Sequence, residues 1–499
     1  MKEKAMRYIE AFNASDEELY KQDVPNAAAK DFLLANIPLI DIPDETLERT
    51  YYFRWWVLRK HIKRTADGYV ITEFLPPVPW AGLHNTIIAA AGHHIAEAKW
   101  LKCGKTLIED YARFWLSEKS KTYLYSSWML HAIYEYCEHC GDFSLGVQNL
   151  DRMLHYYETV EAEHKTDCGL FWSIDNNDAM EYSISGTAED LTVMRGVRPT
   201  LNSYMAANAL AIARFARLAG REKTAETYLA KHEELKRKIN EILWDGTFFK
   251  AIHVKELSAP SFAALPAAQN ARELIGYIPW CFDLAQKGRE SAFADLKRED
   301  GFLSPHGLTT AERRHMRYLY EVDHECLWNG YVWPFATAQV LRAMERLLAD
   351  GGQNAVTKED FYSVLSAYAR SHVRGKENGT QVPWIDEVLH PEHGTWSSRE
   401  ILENAGWPAA LGGLERGKDY NHSAFCDIVL GGLLGIRPKN GKISVSVRVP
   451  DAWEYFAVEN LWIGGRCYRV LYDKTGEKYD CGKGVHIFEM NGNEEIKLA

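Results

Sequence analysis

Two stretches of this chain set carboxylates beside tryptophans, outside any long apolar repeat. One is PWIDEVLHPEHGTW, Pro383 to Trp396, with Asp386 and Glu387 in tandem. The other is FWSIDNNDAMEYS, with Trp172, Asp175, Asp178 and Glu181. One protonated and one ionised carboxyl group are enough to cleave an acetal without a cofactor. Pro391 biases residue 390 away from helical geometry, so Glu387 is expected in an irregular segment. Side chains of neighbours in an extended segment point to opposite sides. One of Asp386 and Glu387 is then the candidate for a pocket, and the other tunes the loop or faces away. The bland alternatives are an exposed acidic loop and acids drawn to a helix N-terminus.

A third stretch, HECLWNGYVWPFAT, sets Trp328, Asn329 and Trp333 just ahead of an apolar helix. It reads as core packing, or as aromatic walls with an amide to orient a hydroxylated ligand. Further candidates are Arg54 and Trp55 in FRWW, and Trp80, His84 and Asn85 in PPVPWAGLHN. His306 in SPHGLTTAE, Trp384, and Tyr420 and His422 in RGKDYNHS complete the set. Each histidine alone is more often a hydrogen-bonded structural group than a catalyst. The chain has 16 Trp, 26 Tyr and 19 Phe, and flat rings suit the C–H faces of sugars as well as cores.

The elements that must position these residues are mostly helices. Apolar residues recur at helical spacing from about residue 86 to 436, as in TIIAAAGHHIAEAKWL, LNSYMAANALAIARFARLAG and YVWPFATAQVLRAMERLLAD. Several of these runs end in Gly or Asp-Gly, as helix C-termini do. GYVITEF, near residue 70, is expected to be a strand. From about residue 437 the pattern alternates, in KISVSVRVP, FAVENLWIGGRCYRVLYDKTGEKY and GVHIFEMNGNEEIKL. With KTG and NGN turns these read as antiparallel strands. The expected organisation is an N-terminal helical or irregular segment (1–50), an all-α body (51–436) built as a toroid of helical hairpins, and a small C-terminal β domain (437–499).

Bulk properties narrow the function. The chain has 499 residues and a net charge of −11, which argues against nucleic acid or an anionic membrane as the main partner. No apolar run is long enough to span a membrane, and the N-terminus lacks the apolar core of a signal peptide. A cytoplasmic protein is expected. Nine scattered cysteines suit reduced thiols, and the pair Cys137 and Cys140 reads as two half-buried thiols at a helix end. No phosphate loop, GxSxG elbow, HExxH or EF-hand pattern is present, so neither a cofactor nor a metal is expected.

ExxHPxxG, Glu387 to Gly394, resembles the E-x-x-N/D-P-x-x-G segment of clan-G (α/α)₆-barrel glycosidases, the trehalase-like and family-63-like enzymes that include bacterial mannosylglycerate hydrolases. WNGYVWPFAT is similar to their W-R/N-G-P-V-W-P-x segment, with Tyr331 where Pro is usual and Asn329 where Arg is common. DYNHSAFCDIVLGGLLGI resembles the helix that closes the barrel. DAMEYSISG with RPTLNSYMAANALAIARFARLAG resembles the acid-bearing loop and its next helix. The likeness runs over roughly residues 50 to 440. It implies an exo-acting, inverting glycoside hydrolase with Glu387 as general base and a carbohydrate partner. In that mechanism the two carboxyls stand roughly 6.5–9.5 Å apart. The family's general acid is an Asp. Matching the following Ser to Ser183 puts Glu181 in its place, while residue type and the head of the DAMEYS segment tip the balance to Asp178. Trp80, Trp172, Trp328 and Trp333 would wall the sugar site, and Arg54, His84, Asn85 and Asn329 would fix hydroxyls. An epimerase or polysaccharide lyase using His84, His306 or His422, and a non-catalytic sugar-binding protein, are the rival readings.

Overall fold

The computed structural model describes residues 1–120, 122–376, 378–491 and 494–498. Its body is a succession of helices, each packed on the next. Ala91–Ala98 lies against Met129–Cys140, which packs on Pro199–Leu218, and that helix meets the short Ile278–Cys281 turn. The turn packs on Pro334–Asp350, which pairs with Lys358–Arg370, which pairs with Glu45–His61. Glu45–His61 touches the one-turn helix Phe425–Asp427, which returns to Ala91–Ala98.

Local sequence sets the helix ends. The Asp44 side chain accepts from Leu47 N, and Thr357 and Asp360 form a reciprocal capping box, satisfying N–H groups that a helix start leaves free. Pro199 and Pro334 occupy first-turn positions where the missing N–H costs nothing. Gly141 and Gly351 end their helices with positive φ, 71° and 66°, a conformation that is cheap only without a Cβ.

Buried polar groups join the helices where the ring closes. Arg54 donates to Ser423 O (3.2 Å) and reaches Tyr368 Oη and His372 Nε2. The Glu97 carboxylate accepts from Cys426 N (2.9 Å) and Asp427 N (2.8 Å). Tyr51, Tyr52 and Trp55 are fully buried on the Glu45–His61 helix.

GYVITEF forms a hairpin strand, Gly68–Ile71, paired with Ile62–Thr65. The C-terminal region is antiparallel as the alternation predicts. Ile436–Lys439 pairs with Lys442–Val445, and Tyr455–Ile463, Arg466–Asp473, Gly484–Asn491 and Glu494–Leu498 follow in one sheet in chain order. Gly492 and Asn493 of the NGN turn lie outside the described residues. A strand from the N-terminal segment, Leu39–Asp41, adds to this sheet with Leu39 opposite Glu459. Among the described residues no helix is long and apolar enough to cross a membrane.

Candidate functional site

The acid-bearing loop begins at strand Trp172–Ser173 and makes a single tight turn at Asn176–Asp178. Two of its acids hold the loop. Asp175 accepts from Asn176 N (3.0 Å) and Thr187 Oγ1 (2.9 Å). Asp178 accepts from Arg198 Nε (2.7 Å) and Ser126 Oγ (2.6 Å), with both ionic partners buried. Ala179 then takes a left-handed conformation, φ 56°, and the chain turns so that Glu181 meets a cavity. Glu181 Oε2 accepts from the Cys326 thiol at 3.1 Å, and its carbonyl accepts from Trp328 N. The 172–187 loop and the 324–333 segment are thereby joined. Burial pushes the Glu181 carboxyl up to about 7.

The Pro383–Trp396 segment is irregular, as Pro391 requires. Leu389 bridges Val332 on one side and Trp396 on the other. Gly394, at φ 67°, closes the HPEHG turn by donating to His390 O. Asp386 turns inward and accepts from Glu387 N (2.9 Å) and Ser398 Oγ (3.3 Å). Glu387 points the other way, into the same cavity as Glu181. Arg416 contacts Glu387 with one terminal nitrogen and donates to Glu325 Oε1 (3.0 Å) with the other. Burial raises Glu387 to about 8, with the Arg416 cation opposing the rise and Asp386, Glu325 and Glu73 adding to it.

The cavity encloses about 470 Å³. Trp80, Phe74, Tyr125, Trp333 and Tyr420 wall it, and its polar lining is Glu73, Asn176, Asn177, Glu181, His324, Glu325, Cys326, Glu387 and Arg416. Glu73 follows directly from the Gly68–Ile71 hairpin. It accepts from Tyr420 Oη, its other oxygen is buried without a partner, and burial raises it to about 8. The Arg416 guanidinium lies 5.2 Å from the Trp80 ring and 5.5 Å from Phe74.

Of the candidates read from sequence, Glu181, Glu387, Trp80, Trp333 and Tyr420 line this cavity. Trp328 stacks behind Trp333, ring centres 4.4 Å apart, and His422 lies behind Tyr420 at 3.6 Å. Asn85 is buttressing, since its amide accepts from Val78 N and donates to Phe74 O and Pro76 O. Asn329 donates to Tyr320 O from a fully buried position.

The remaining candidates are elsewhere. Arg54 and Trp55 are inside the helical body. His84 pairs with Asp67 (2.8 Å), Trp172 lies under Arg195 and against His164, and Trp384 is flanked by Arg374 and Arg399. His306 lines a second, larger cavity of about 710 Å³ with Val332, Leu389 and Trp396. Two acids of that cavity, Asp360 and Glu392, are tied to Lys297 and Arg313, whereas carboxyls with raised values lie at the smaller one.

Glu73, Glu325, Cys326 and Arg416 were not among the candidates. An isolated acid inside the apolar run YVITEFL was the signal for Glu73, because a carboxyl is buried only where something requires it.

Residues 84–423 match the mannosylglycerate hydrolase MGH1-like glycoside hydrolase domain. The chain belongs to this family. Among solved structures, one named a sialidase is 34% identical over 98% of this chain, with a TM-score of 0.87. This glycoside hydrolase domain spans only 43% of that protein's length. The GH63 mannosylglycerate hydrolase from Thermus thermophilus in complex with glucose is 10% identical, covering 76% of this chain and 98% of its own, with a TM-score of 0.51. The GH78 rhamnosidase of Bacillus sp. GL1 is 14% identical, covering 87% of this chain and 40% of its own, with a TM-score of 0.51. These last two likenesses concern the fold alone.

Proposed function

We propose that this domain is an exo-acting, inverting glycoside hydrolase in which Glu181 protonates the leaving oxygen and Glu387 activates water. One observation carries the reading: Glu181 and Glu387 enter one aromatic-walled cavity from separate loops, while Asp178 is tied to Arg198. Burial raises Glu181 to about 7, so that a share of it carries, near neutral pH, the proton a general acid must give. Glu387 in contact with Arg416 keeps a cation beside the ionised form that a base needs. A cavity of about 470 Å³ suits a terminal sugar better than a long chain.

The closed succession of helices supports an (α/α)₆ toroid over residues 51–436, with the β domain at 437–499 and the 1–50 segment linked to it through Leu39–Asp41. The names of the similar structures offer mannosylglycerate, rhamnosides and sialosides as substrate candidates.

The test is hydrolysis of a panel of aryl glycosides and oligosaccharides, with the first-formed product anomer read by NMR. Inversion is expected, and Glu387→Gln is expected to fold normally and lose most turnover. Retention of configuration, or unchanged turnover by Glu387→Gln, overturns this mechanism.

A further inference from the structure

The Glu181 carboxyl has a thiol for a neighbour. Cys326 lines the cavity and donates its S–H to Glu181 Oε2 at 3.1 Å. Both residues are half-buried, so the pair stands where a substrate can reach it. The segment that carries the thiol is tied on both sides. Cys326 N donates to His324 Nδ1 (3.0 Å), Trp328 N to Glu181 O (3.1 Å) and Thr310 Oγ1 to Trp328 O (2.9 Å). Burial and the carboxyls of Glu181 and Glu387 push the Cys326 value well above its ordinary 9.0, so the sulfur keeps its proton and acts as a donor. Two charges act on Glu181 in opposite directions, Asp175 on its own loop raising its value and Arg416 across the cavity lowering it. Glu73, Glu325, Glu387 and His324 share the cavity with it. The thiol is the neighbour bonded directly to its carboxyl.

Resting on the glycosidase reading above, we propose that Cys326 is a positioning residue for the general acid, its S–H holding Glu181 Oε2 and leaving Oε1 to carry the proton. In the step itself that proton passes from Oε1 to the glycosidic oxygen. The bond from the sugar carbon to that oxygen breaks, and its electron pair stays on the oxygen. Water activated at Glu387 forms the new bond to the sugar carbon. Cys326 keeps its own proton throughout and donates to the carboxylate that is left. A thiol is a weak donor. It orients the carboxyl while favouring its ionised form less than a hydroxyl would.

The test compares Cys326→Ala and Cys326→Ser with the wild type, after melting curves establish that each folds. A general acid must be protonated, so kcat/KM falls as pH rises through the Glu181 value. Cys326→Ala loses the donor that favours the ionised form, and its alkaline limb is expected at higher pH than the wild type's. Cys326→Ser keeps a donor, a stronger one, and its limb is expected at or below the wild-type position. At its own optimum Cys326→Ala should lose about 3–10-fold in kcat on a glycoside with an unactivated alcohol, and little on a dinitrophenyl glycoside. Cys326→Ser should recover most of that loss. A thiol that only fills space would move neither the limb nor the balance between leaving groups. An alkaline limb unmoved in Cys326→Ala overturns the proposal, as does an equal loss on both glycosides.

If no glycoside is hydrolysed, the hydrolase reading fails, and the pair is judged without turnover. Infrared difference spectra across pH follow the protonated carboxyl whose band Glu181→Gln removes. A midpoint that rises from wild type to Cys326→Ala supports the hold of the thiol on Oε2, and an unmoved midpoint overturns it.

Discussion

The Asp178 carboxylate lies 2.7 Å from Arg198 Nε, with both side chains essentially inaccessible. Arg198 also donates to Ser185 Oγ (3.0 Å) and reaches Ser183 Oγ (3.3 Å), so one guanidinium gathers the whole 172–187 loop. Removing one member of a buried pair leaves the other uncompensated, at a cost of about 3–5 kcal/mol. Asp178→Asn is therefore expected to lower the melting temperature clearly. Glu181→Gln, whose carboxyl faces the cavity and carries no ion pair, should melt close to the parent. Thermal denaturation of the two variants side by side separates a structural acid from a functional one. A stable Asp178→Asn protein would remove the ion pair from this account.

Glu181→Gln has a kinetic signature that loss of a base would not share. A general acid assists departure of the leaving oxygen, so its loss matters little when that oxygen leaves easily. The variant is expected to retain most activity on a dinitrophenyl glycoside. On a glycoside with an unactivated alcohol it should lose about 10²–10⁴-fold. Glu387→Gln should lose activity on both. Equal losses by Glu181→Gln across leaving groups would take the acid's role from it.

The helices and the β region were legible because period and punctuation agree. Pro199, Pro334, Gly141 and Gly351 mark helix ends that the apolar repeats already suggest. The loop of Glu387 was legible too, since Pro391 and Gly394 forbid a helix there. The choice between Asp178 and Glu181 was not. It depends on Arg198, twenty residues further on, and on the left-handed turn at Ala179, which residue type does not foretell. Glu73 and Arg416 were hidden for a related reason. They lie 343 positions apart, and only closure of the ring brings both to Glu387. Trp55 and Trp172 show the converse. Tryptophan serves a helical core as well as a sugar pocket, and its type alone does not separate the two.

On the proposed mechanism, Arg416 sets the pH at which Glu387 acts. Its cation lowers the Glu387 value against the rise that burial imposes. A base must be ionised, so activity is lost as pH falls through that value. Removing the cation in Arg416→Gln lets the value climb, and the acidic limb of the kcat/KM profile should move to higher pH. Arg416→Lys keeps the charge but cannot fork to Glu325 and Glu387 together. It should leave the limb near its place while lowering kcat by about 10–100-fold. The limb belongs to the coupled carboxyls rather than to one group, so the shift between variants is the quantity to measure. An unmoved limb in Arg416→Gln would dissociate Arg416 from the base.

Glu73 makes a prediction about stability rather than rate. Burial raises its carboxyl from the ordinary 4.5 to about 8, so the folded protein holds a proton that the unfolded chain releases earlier. Across that window the folded state binds more protons, and stability falls as pH rises. The stabilisation linked to this proton is complete below about 4.5 and is lost by about 8. Glu73→Gln is neutral throughout and keeps an acceptor for Tyr420 Oη. The variant should therefore match the wild type in melting temperature in mild acid and exceed it increasingly toward alkaline pH. The gain at the alkaline end is on the order of 5 kcal/mol. Glu181 and Glu387 are raised in the same direction by the same burial, so their slope remains in the variant, and only the difference between the two proteins isolates Glu73. Melting curves taken at intervals across this range check it. A difference that stays constant with pH would mean that Glu73 holds no proton in the folded state.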